Sequence, residues 1–139
     1  METTFRRGNL VVAAPVFAEL STAPGRTEKF VSAFLEETGI AIDWDLGEPV
    51  WRSAGRAFQS YAERRRKQRD SGTRRILADF LIGAHALTRR YHLLTLDERL
   101  YQAAFPSLKI ELLLRMFLQA RICKPLKPTH RAVGRPKMR

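Results

Sequence analysis

The feature that most constrains this chain is the stretch RILADFLIGAHALTRRYHLLTLDERLY (Arg75–Tyr101), in which one acid opens an apolar helix and another follows an apolar strand. Asp79 and Asp97 lie 18 residues apart (97 − 79). A helix of about three turns and a short loop return the chain to the edge of the fold from which it started. Because two acids at one edge repel each other, the spacing predicts a site that attracts a cation.

Short apolar runs alternate with amphipathic stretches along the chain, and this alternation predicts one α/β domain with a mainly parallel sheet. The longest helix shows apolar residues every three to four positions, and its aromatic residues are predicted to lie in the core. The predicted strands are Leu10–Ala14, Ile40–Ile42, Leu93–Leu96 and Leu108–Ile110, and the predicted helices begin at Pro15, Glu28, Pro49, Ile76 and Asp97. The residues assigned to the core here are Val50, Trp51, Ala54, Ala57, Phe58 and Tyr61, with Trp44 before the helix.

The charge of the chain favours an anionic partner. Lysine and arginine number 25 against 14 acids, a net charge of +11 at pH 7. Such a balance is typical of proteins that bind nucleic acid or an acidic protein, although a generally basic surface is the alternative. A single cysteine, Cys123, excludes an internal disulfide and fits a reducing cytosol, and no apolar run is long enough for a membrane span. We therefore expect a cytoplasmic protein with no membrane partner.

The composition changes after Ile110, which divides the chain into a domain over residues 1–110 and an extension over residues 111–139. Leu112–Ile122 is strongly apolar and is predicted to be helical. Lys124–Arg139 contains three prolines, six lysines or arginines and no acid. This composition predicts a disordered basic tail.

Three acids are placed to meet beyond the carboxyl ends of the strands, where open parallel sheets bind ligands. Glu19 follows the first visible strand by about one helical turn, and Asp79 and Asp97 complete the group. Thr95 precedes Asp97 by two residues, and its hydroxyl is a candidate ligand for phosphate or for metal-bound water. Carboxylates without a nearby Cys/His set favour Mg²⁺ or Mn²⁺. The small residues Gly83 and Ala86, on the Asp79 face of the helix, are predicted to leave room for a ligand or water.

Each of these residues also has a simpler interpretation. Asp79 is a favourable partner for the helix dipole, Asp97 can cap the next helix, and Glu19 can be an ordinary surface residue. His85, on an apolar helix, is predicted to be structural. Among the cations, Arg74 and Arg75 are the candidates for substrate binding, whereas the run Arg64–Arg69 is either a solvated helix end or a contact to RNA.

The stretches VVAAPVFAEL, ILADFLIGAHAL and LLTLDERLYQAAFPSLKI resemble a PIN domain of the VapC type, the ribonuclease toxin of bacterial toxin–antitoxin pairs. The resemblance covers about Gly8–Ile110. It implies a three-layer α/β/α sandwich, Mg²⁺ or Mn²⁺ held by acids, endonucleolytic cleavage of RNA, a homodimer and inhibition by a VapB-type antitoxin. Glu19, Asp79 and Asp97 match three acidic positions of the family, and Thr95 matches a polar position beside the last.

One element of the family pattern has no counterpart here. Such domains begin with a central strand that ends in an aspartate, whereas no aspartate precedes Asp43 in this chain. We therefore expect a domain shortened at its start, with one metal ligand missing and with strand edges left exposed. The first hypothesis is a metal-dependent endoribonuclease toxin. The alternative is a degenerate, non-catalytic PIN-like protein that binds RNA or an antitoxin, and a weaker third option is a nucleic-acid binder that acts through its basic tail.

Overall fold

Five helices and four short strands alternate in the computed structural model, which describes residues 9–69, 71 and 75–112. This order confirms the α/β class predicted from the sequence. The elements are β1 (Val11–Ala13), α1 (Ala14–Leu20), α2 (Glu28–Glu37), β2 (Ala41–Asp43), α3 (Glu48–Gln68), α4 (Leu77–Arg89), β3 (Leu93–Thr95), α5 (Glu98–Ala104) and β4 (Ile110–Leu112).

The strands form two separate parallel pairs. β1 pairs with β2, with Val12 opposite Ile42, and β3 pairs with β4, with Leu94 opposite Glu111. No strand within the described ranges joins the two pairs into one sheet. The strands of a parallel sheet are normally buried on both faces, yet Val11 is exposed and Leu94 is only half-buried. The divided sheet agrees with the expectation of exposed strand edges.

The helix ends follow local chemistry. Thr27 caps α2 by accepting a hydrogen bond from the backbone N–H of Phe30 at 3.1 Å. Proline lies in the first turn of both α1 and α3, where its missing N–H is not needed. The helices α3 and α4 end instead on Arg69 and Arg90, which adopt left-handed backbone conformations with φ of 50° and 58°. Glycine is the usual residue at such positions because it has no side chain to clash with the backbone.

The core lies mainly between α3 and α4, and its centre is aromatic. Phe80 is fully buried and stacks on Phe58 with ring centroids 4.8 Å apart. Tyr61 packs against the same ring at 5.4 Å. Val50, Ala54 and Ala57 complete the buried face of α3, as its apolar spacing predicts.

Two tryptophans predicted to lie in the core are on the surface. Trp44 is 62% exposed and packs edge-on against Phe17, and Trp51 is 50% exposed. Trp51 follows the buried Val50 by one residue, which turns its side chain about 100° away from the core face of α3.

The end of the described chain also differs from the sequence prediction. The last strand is Ile110–Leu112 rather than Leu108–Ile110, because Leu108 is buried in the preceding turn. Leu112 therefore belongs to β4 and not to the predicted apolar helix. The rest of that helix and the predicted basic tail lie outside the described residues.

A buried histidine ties α4 to the end of β2. His85 is 4% exposed, and its Nε2 lies 2.9 Å from Oδ2 of Asp43. The Nε of Arg89 lies 3.0 Å from the same carboxylate oxygen, and Arg89 also reaches Asp45. This arrangement confirms the structural role predicted for His85. None of the described helices is long and apolar enough to cross a membrane.

The contact between Asp43 and His85 predicts an acid-dependent loss of stability. The hydrogen bond with His85 lowers the pKa of Asp43 below its ordinary value of 3.8. Burial opposes this shift, whereas the backbone N–H of Asp45 and the charge of Arg89 add to it. A carboxylate with a lowered folded pKa stabilises the protein above its unfolded pKa, and this contribution is lost as pH falls through the folded pKa. The difference in free energy of unfolding between the wild type and Asp43→Asn is expected to shrink below pH 3.8.

Urea unfolding at a series of pH values measures this difference. Glu36→Gln is the matched control, because Glu36 is an exposed acid on α2. Its difference from the wild type is expected to stay small throughout. A difference for Asp43→Asn that does not change with pH would contradict the assigned role of the hydrogen bond.

Candidate nuclease site

The three predicted acids lie on or beside three different helices, and the charge of each acts on one tyrosine. Glu19 is exposed near the end of α1, Asp79 is the third residue of α4, and Asp97 directly precedes α5. Tyr101, one turn into α5, is 5% exposed. Burial raises the pKa of Tyr101 to about 12, and the negative charges of Asp79, Asp97 and Glu19 add to the rise while Arg75 opposes it. All three acids therefore lie close enough to act on this hydroxyl.

Tyr101 is a residue that the sequence analysis missed. With a pKa near 12 it stays a neutral hydroxyl that can donate a hydrogen bond. In the described part of the chain its hydroxyl has no hydrogen-bond partner, while every fully buried side-chain polar atom has one. The hydroxyl therefore reaches solvent beside the acids. Its position four residues after Asp97, on the same helical face, was the available signal.

Asp79 is held in place by the start of its own helix. Its Oδ2 accepts a hydrogen bond from the backbone N–H of Ile76 at 3.3 Å, which satisfies a donor that the first turn leaves free. Asp79 therefore does stabilise the start of its helix, as the simpler interpretation predicts, but this contact uses only one of its two carboxylate oxygens. The second carboxylate oxygen has no partner among the described residues and remains available to a ligand.

Asp97 makes three contacts that fix its orientation. Its Oδ1 accepts from the backbone N–H of Leu100 at 3.2 Å and so caps α5. Its backbone N–H donates to the hydroxyl oxygen of Thr95 at 3.1 Å. Its Oδ2 forms an ion pair with the guanidinium of Arg75. The cation that the acids attract is thus, in this structure, an arginine of the same chain.

The donor set suits a hard divalent cation, whereas its geometry is not that of a complete protein cage. Within residues 9–69, 71 and 75–112, no group of three His, Cys, Asp or Glu side chains is close enough together to hold a metal ion. Carboxylate oxygens are nevertheless the ligands that Mg²⁺ prefers, and this ion commonly uses one or two carboxylates together with waters and substrate phosphates. The residues present fit such an open site.

A comparison with protein families matches residues 2–106 to the PIN domain. The matched region covers most of the chain and includes all three acids. The chain belongs to the PIN domain family. PIN domains are generally nucleases and typically use divalent metal ions. A comparison with curated proteins found no match.

The space above Gly83 in this PIN domain is filled by protein, which corrects one prediction. The sequence suggested that Gly83 and Ala86 leave room for a ligand or water. Instead, a Cβ on Gly83 would lie within 3.0 Å of the Phe105 ring and at 3.0 Å from Cδ1 of Tyr101. Ala86 is also buried, at 4% exposure. The missing side chain at Gly83 allows Phe105 and Tyr101 to pack closely against α4, whereas Ala86 lines a surface depression that the acids do not line.

The predicted substrate-binding arginines have different outcomes. Arg75 lies at the site, where it pairs with Asp97, and its backbone N–H donates to the Tyr61 hydroxyl at 2.9 Å. Arg74 lies outside the described residues.

Proposed function

We propose that this PIN domain is a metal-dependent endoribonuclease, and that it is the toxin of a type II toxin–antitoxin pair. The observation that carries the nuclease proposal is the link between Asp79 and Asp97 at two helix starts, through the adjoining residues Ile76 and Arg75, in a chain of net charge +11. The charges of both acids and of Glu19 also act on Tyr101. The toxin role is supported by the resemblance of the three acid-bearing stretches to the VapC type. With that role come cytoplasmic location, a homodimer and a VapB-type antitoxin.

Glu19, Asp79 and Asp97 are the residues proposed to hold Mg²⁺ or Mn²⁺. A bound divalent ion lowers the pKa of water and neutralises phosphate charge. Thr95 positions Asp97 through the hydrogen bond that its hydroxyl accepts, and it is the candidate polar contact to phosphate or water. The neutral hydroxyl of Tyr101 can donate to a phosphate oxygen bound at this site.

Arg75 has two roles in this proposal. Without metal, its guanidinium neutralises Asp97, because an unpaired carboxylate beside two others raises the energy of the site. If Asp97 held a divalent ion instead, the guanidinium of Arg75 would be free beside the site. Arginine matches the geometry of phosphate oxygens, so the released side chain can bind the RNA backbone.

The experiment is a cleavage assay with the purified full chain and single-stranded RNA. Cleavage is expected with added Mn²⁺ or Mg²⁺, is expected to stop with excess EDTA, and is expected to return when metal is restored. Cleavage that survives chelation would contradict the metal mechanism.

A second candidate is a non-catalytic PIN-like protein that binds RNA or an antitoxin. Two observations favour it. The described residues contain no cluster of three metal ligands, and Asp97 already forms an ion pair with Arg75. The same assay separates the two candidates, because RNA binding without any metal-stimulated cleavage supports the second.

A further inference from the structure

Two neighbouring depressions form one groove on the side of the protein where α3 meets α5. Their volumes are about 280 and 250 Å³, and Leu87 and Ser107 line both of them. Four cationic side chains and no carboxylate line this surface, which we call the basic groove. The four cations are Arg56, Arg64, Arg90 and Lys109.

No described residue neutralises the cations of the basic groove. For the described residues, the structure shows no ion pair or hydrogen bond from any of these four side chains. Other arginines are paired: Arg52 with Glu48, Arg75 with Asp97, and Arg89 with Asp43. Like charges gathered without counter-charges repel one another, and an anionic ligand would relieve that repulsion.

The lining of the basic groove suits phosphate groups in particular. Ser53, Ser60 and Ser107 add hydroxyls beside the guanidinium groups of Arg56 and Arg64. Arginine forks and serine hydroxyls are common donors to phosphate oxygens in nucleic-acid complexes. Along α3 the groove extends from Ser53 to Arg64, about 16 Å at the helical rise per residue. That length suits a polymer of phosphates better than a single ion.

The basic groove begins close to the acidic site. Arg64 lies one helical turn beyond Tyr61, whose hydroxyl accepts the backbone N–H of Arg75 at 2.9 Å. Arg75 in turn pairs with Asp97. The helix α5 makes a second connection, because Asp97 caps its start and Ala104, at its end, lines the groove.

We propose that the basic groove binds the phosphodiester backbone of single-stranded RNA next to the acids. This inference rests on the proposed function, because it assigns the substrate of that site a path across the surface. Proteins that bind single strands commonly use positively charged grooves that follow the backbone. Arg64 lies at the end of the groove nearest Tyr61 and Arg75, Arg56 lies further along α3, and Arg90 and Lys109 extend the contacts beyond Ser107.

The test compares two double variants of α3 that lose the same charge. Arg56→Gln with Arg64→Gln removes cations of the groove, whereas Arg66→Gln with Lys67→Gln removes exposed cations outside it. Affinity for a short fluorescent single-stranded RNA is measured by anisotropy in EDTA, so that cleavage does not contribute. The groove variant is expected to lose about tenfold in affinity. Its log–log salt slope is expected to fall by about 1.4, for two phosphate contacts at about 0.7 each.

The other half of the basic groove provides an independent variant. Arg90→Gln with Lys109→Gln is expected to weaken RNA binding in the same way. All six substitutions are at exposed side chains, and circular dichroism confirms folding before affinity is compared. Equal losses in the groove and control variants would show that diffuse charge binds RNA, which would overturn the proposal.

Measuring binding in EDTA separates this inference from the proposed function. If the wild type binds RNA through the groove but cleaves none with metal, the groove stands and the nuclease proposal fails. If it cleaves RNA while the groove variants keep full affinity, the groove fails and the nuclease proposal stands. The absence of any RNA binding would overturn both. A glutamate-rich peptide that needs the groove cations, with RNA affinity unaffected by them, would identify an acidic protein as the partner instead.

Discussion

Replacing Asp79 with asparagine is expected to reduce metal-dependent RNA cleavage by at least about 100-fold. Asparagine keeps an oxygen that can accept the backbone N–H of Ile76, so the start of α4 is preserved. It removes the negative charge that a divalent cation needs and that also acts on Tyr101. Initial cleavage rates, together with the free energy of unfolding, separate this loss from a loss of folding.

Glu28→Gln is the matched control for this variant. Glu28 is also an acid in the first turn of a helix, α2, but it does not contribute to the pKa of Tyr101. Its replacement is expected to leave the cleavage rate almost unchanged. Undiminished cleavage by Asp79→Asn would reject the assignment of Asp79 to the site.

Adding a single methyl group at Gly83 is expected to destabilise the protein by about 1–3 kcal/mol, the usual effect of overpacking a core. The new Cβ would overlap the Phe105 ring and press on Tyr101, and both rings are buried. This effect outweighs the gain of up to about 1 kcal/mol that alanine brings to a helix interior. Because Tyr101 would shift relative to the acids, cleavage is also expected to fall.

Gly55→Ala is expected to give the opposite result at an exposed helix position. Gly55 lies inside α3, and nothing is within 4 Å of the position that its Cβ would take. Alanine there is expected to stabilise the protein by about 0.5–1 kcal/mol. Denaturant unfolding measures both variants. If Gly83→Ala also stabilised the protein, the close packing of α5 on α4 would be wrong. Phe105→Leu combined with Gly83→Ala is expected to recover part of the loss, since it shortens the side chain that the methyl group meets.

The sequence was sufficient to predict most elements, because their signals are local. Helix α2 has the predicted bounds Glu28–Glu37, since Thr27 caps its start and Gly39 takes the left-handed conformation just after its end. Apolar spacing also identified the buried face of α3. The burial of Trp44 and Trp51 was predicted from residue type alone, and it failed because burial depends on the direction of each side chain. The position of β4 failed because the strand is only three residues long, so a shift of two residues changes most of it.

The sequence indicated the acidic residues of the candidate site but not the ion pair that one of them forms. Spacing and resemblance indicated the acids, and the charges of all three act on the Tyr101 hydroxyl. The ion pair of Arg75 with Asp97 was not predictable, because it depends on how the loop before α4 meets the loop before α5. The role of Gly83 was also not predictable. A small residue on a helix leaves a space, and here that space is filled by Phe105 and Tyr101 from a later part of the chain.

Arg90, where α4 ends, brings two opposing requirements together at one residue. Its left-handed backbone costs about 1–2 kcal/mol for a residue with a side chain, and glycine would avoid that penalty. A glycine would also remove one of the four positive charges around the groove. A glycine at this helix end would therefore raise the stability of the folded protein and lower its affinity for a polyanion. The variant Arg90→Gly is thus expected to unfold at a higher temperature and to bind nucleic acid with lower affinity.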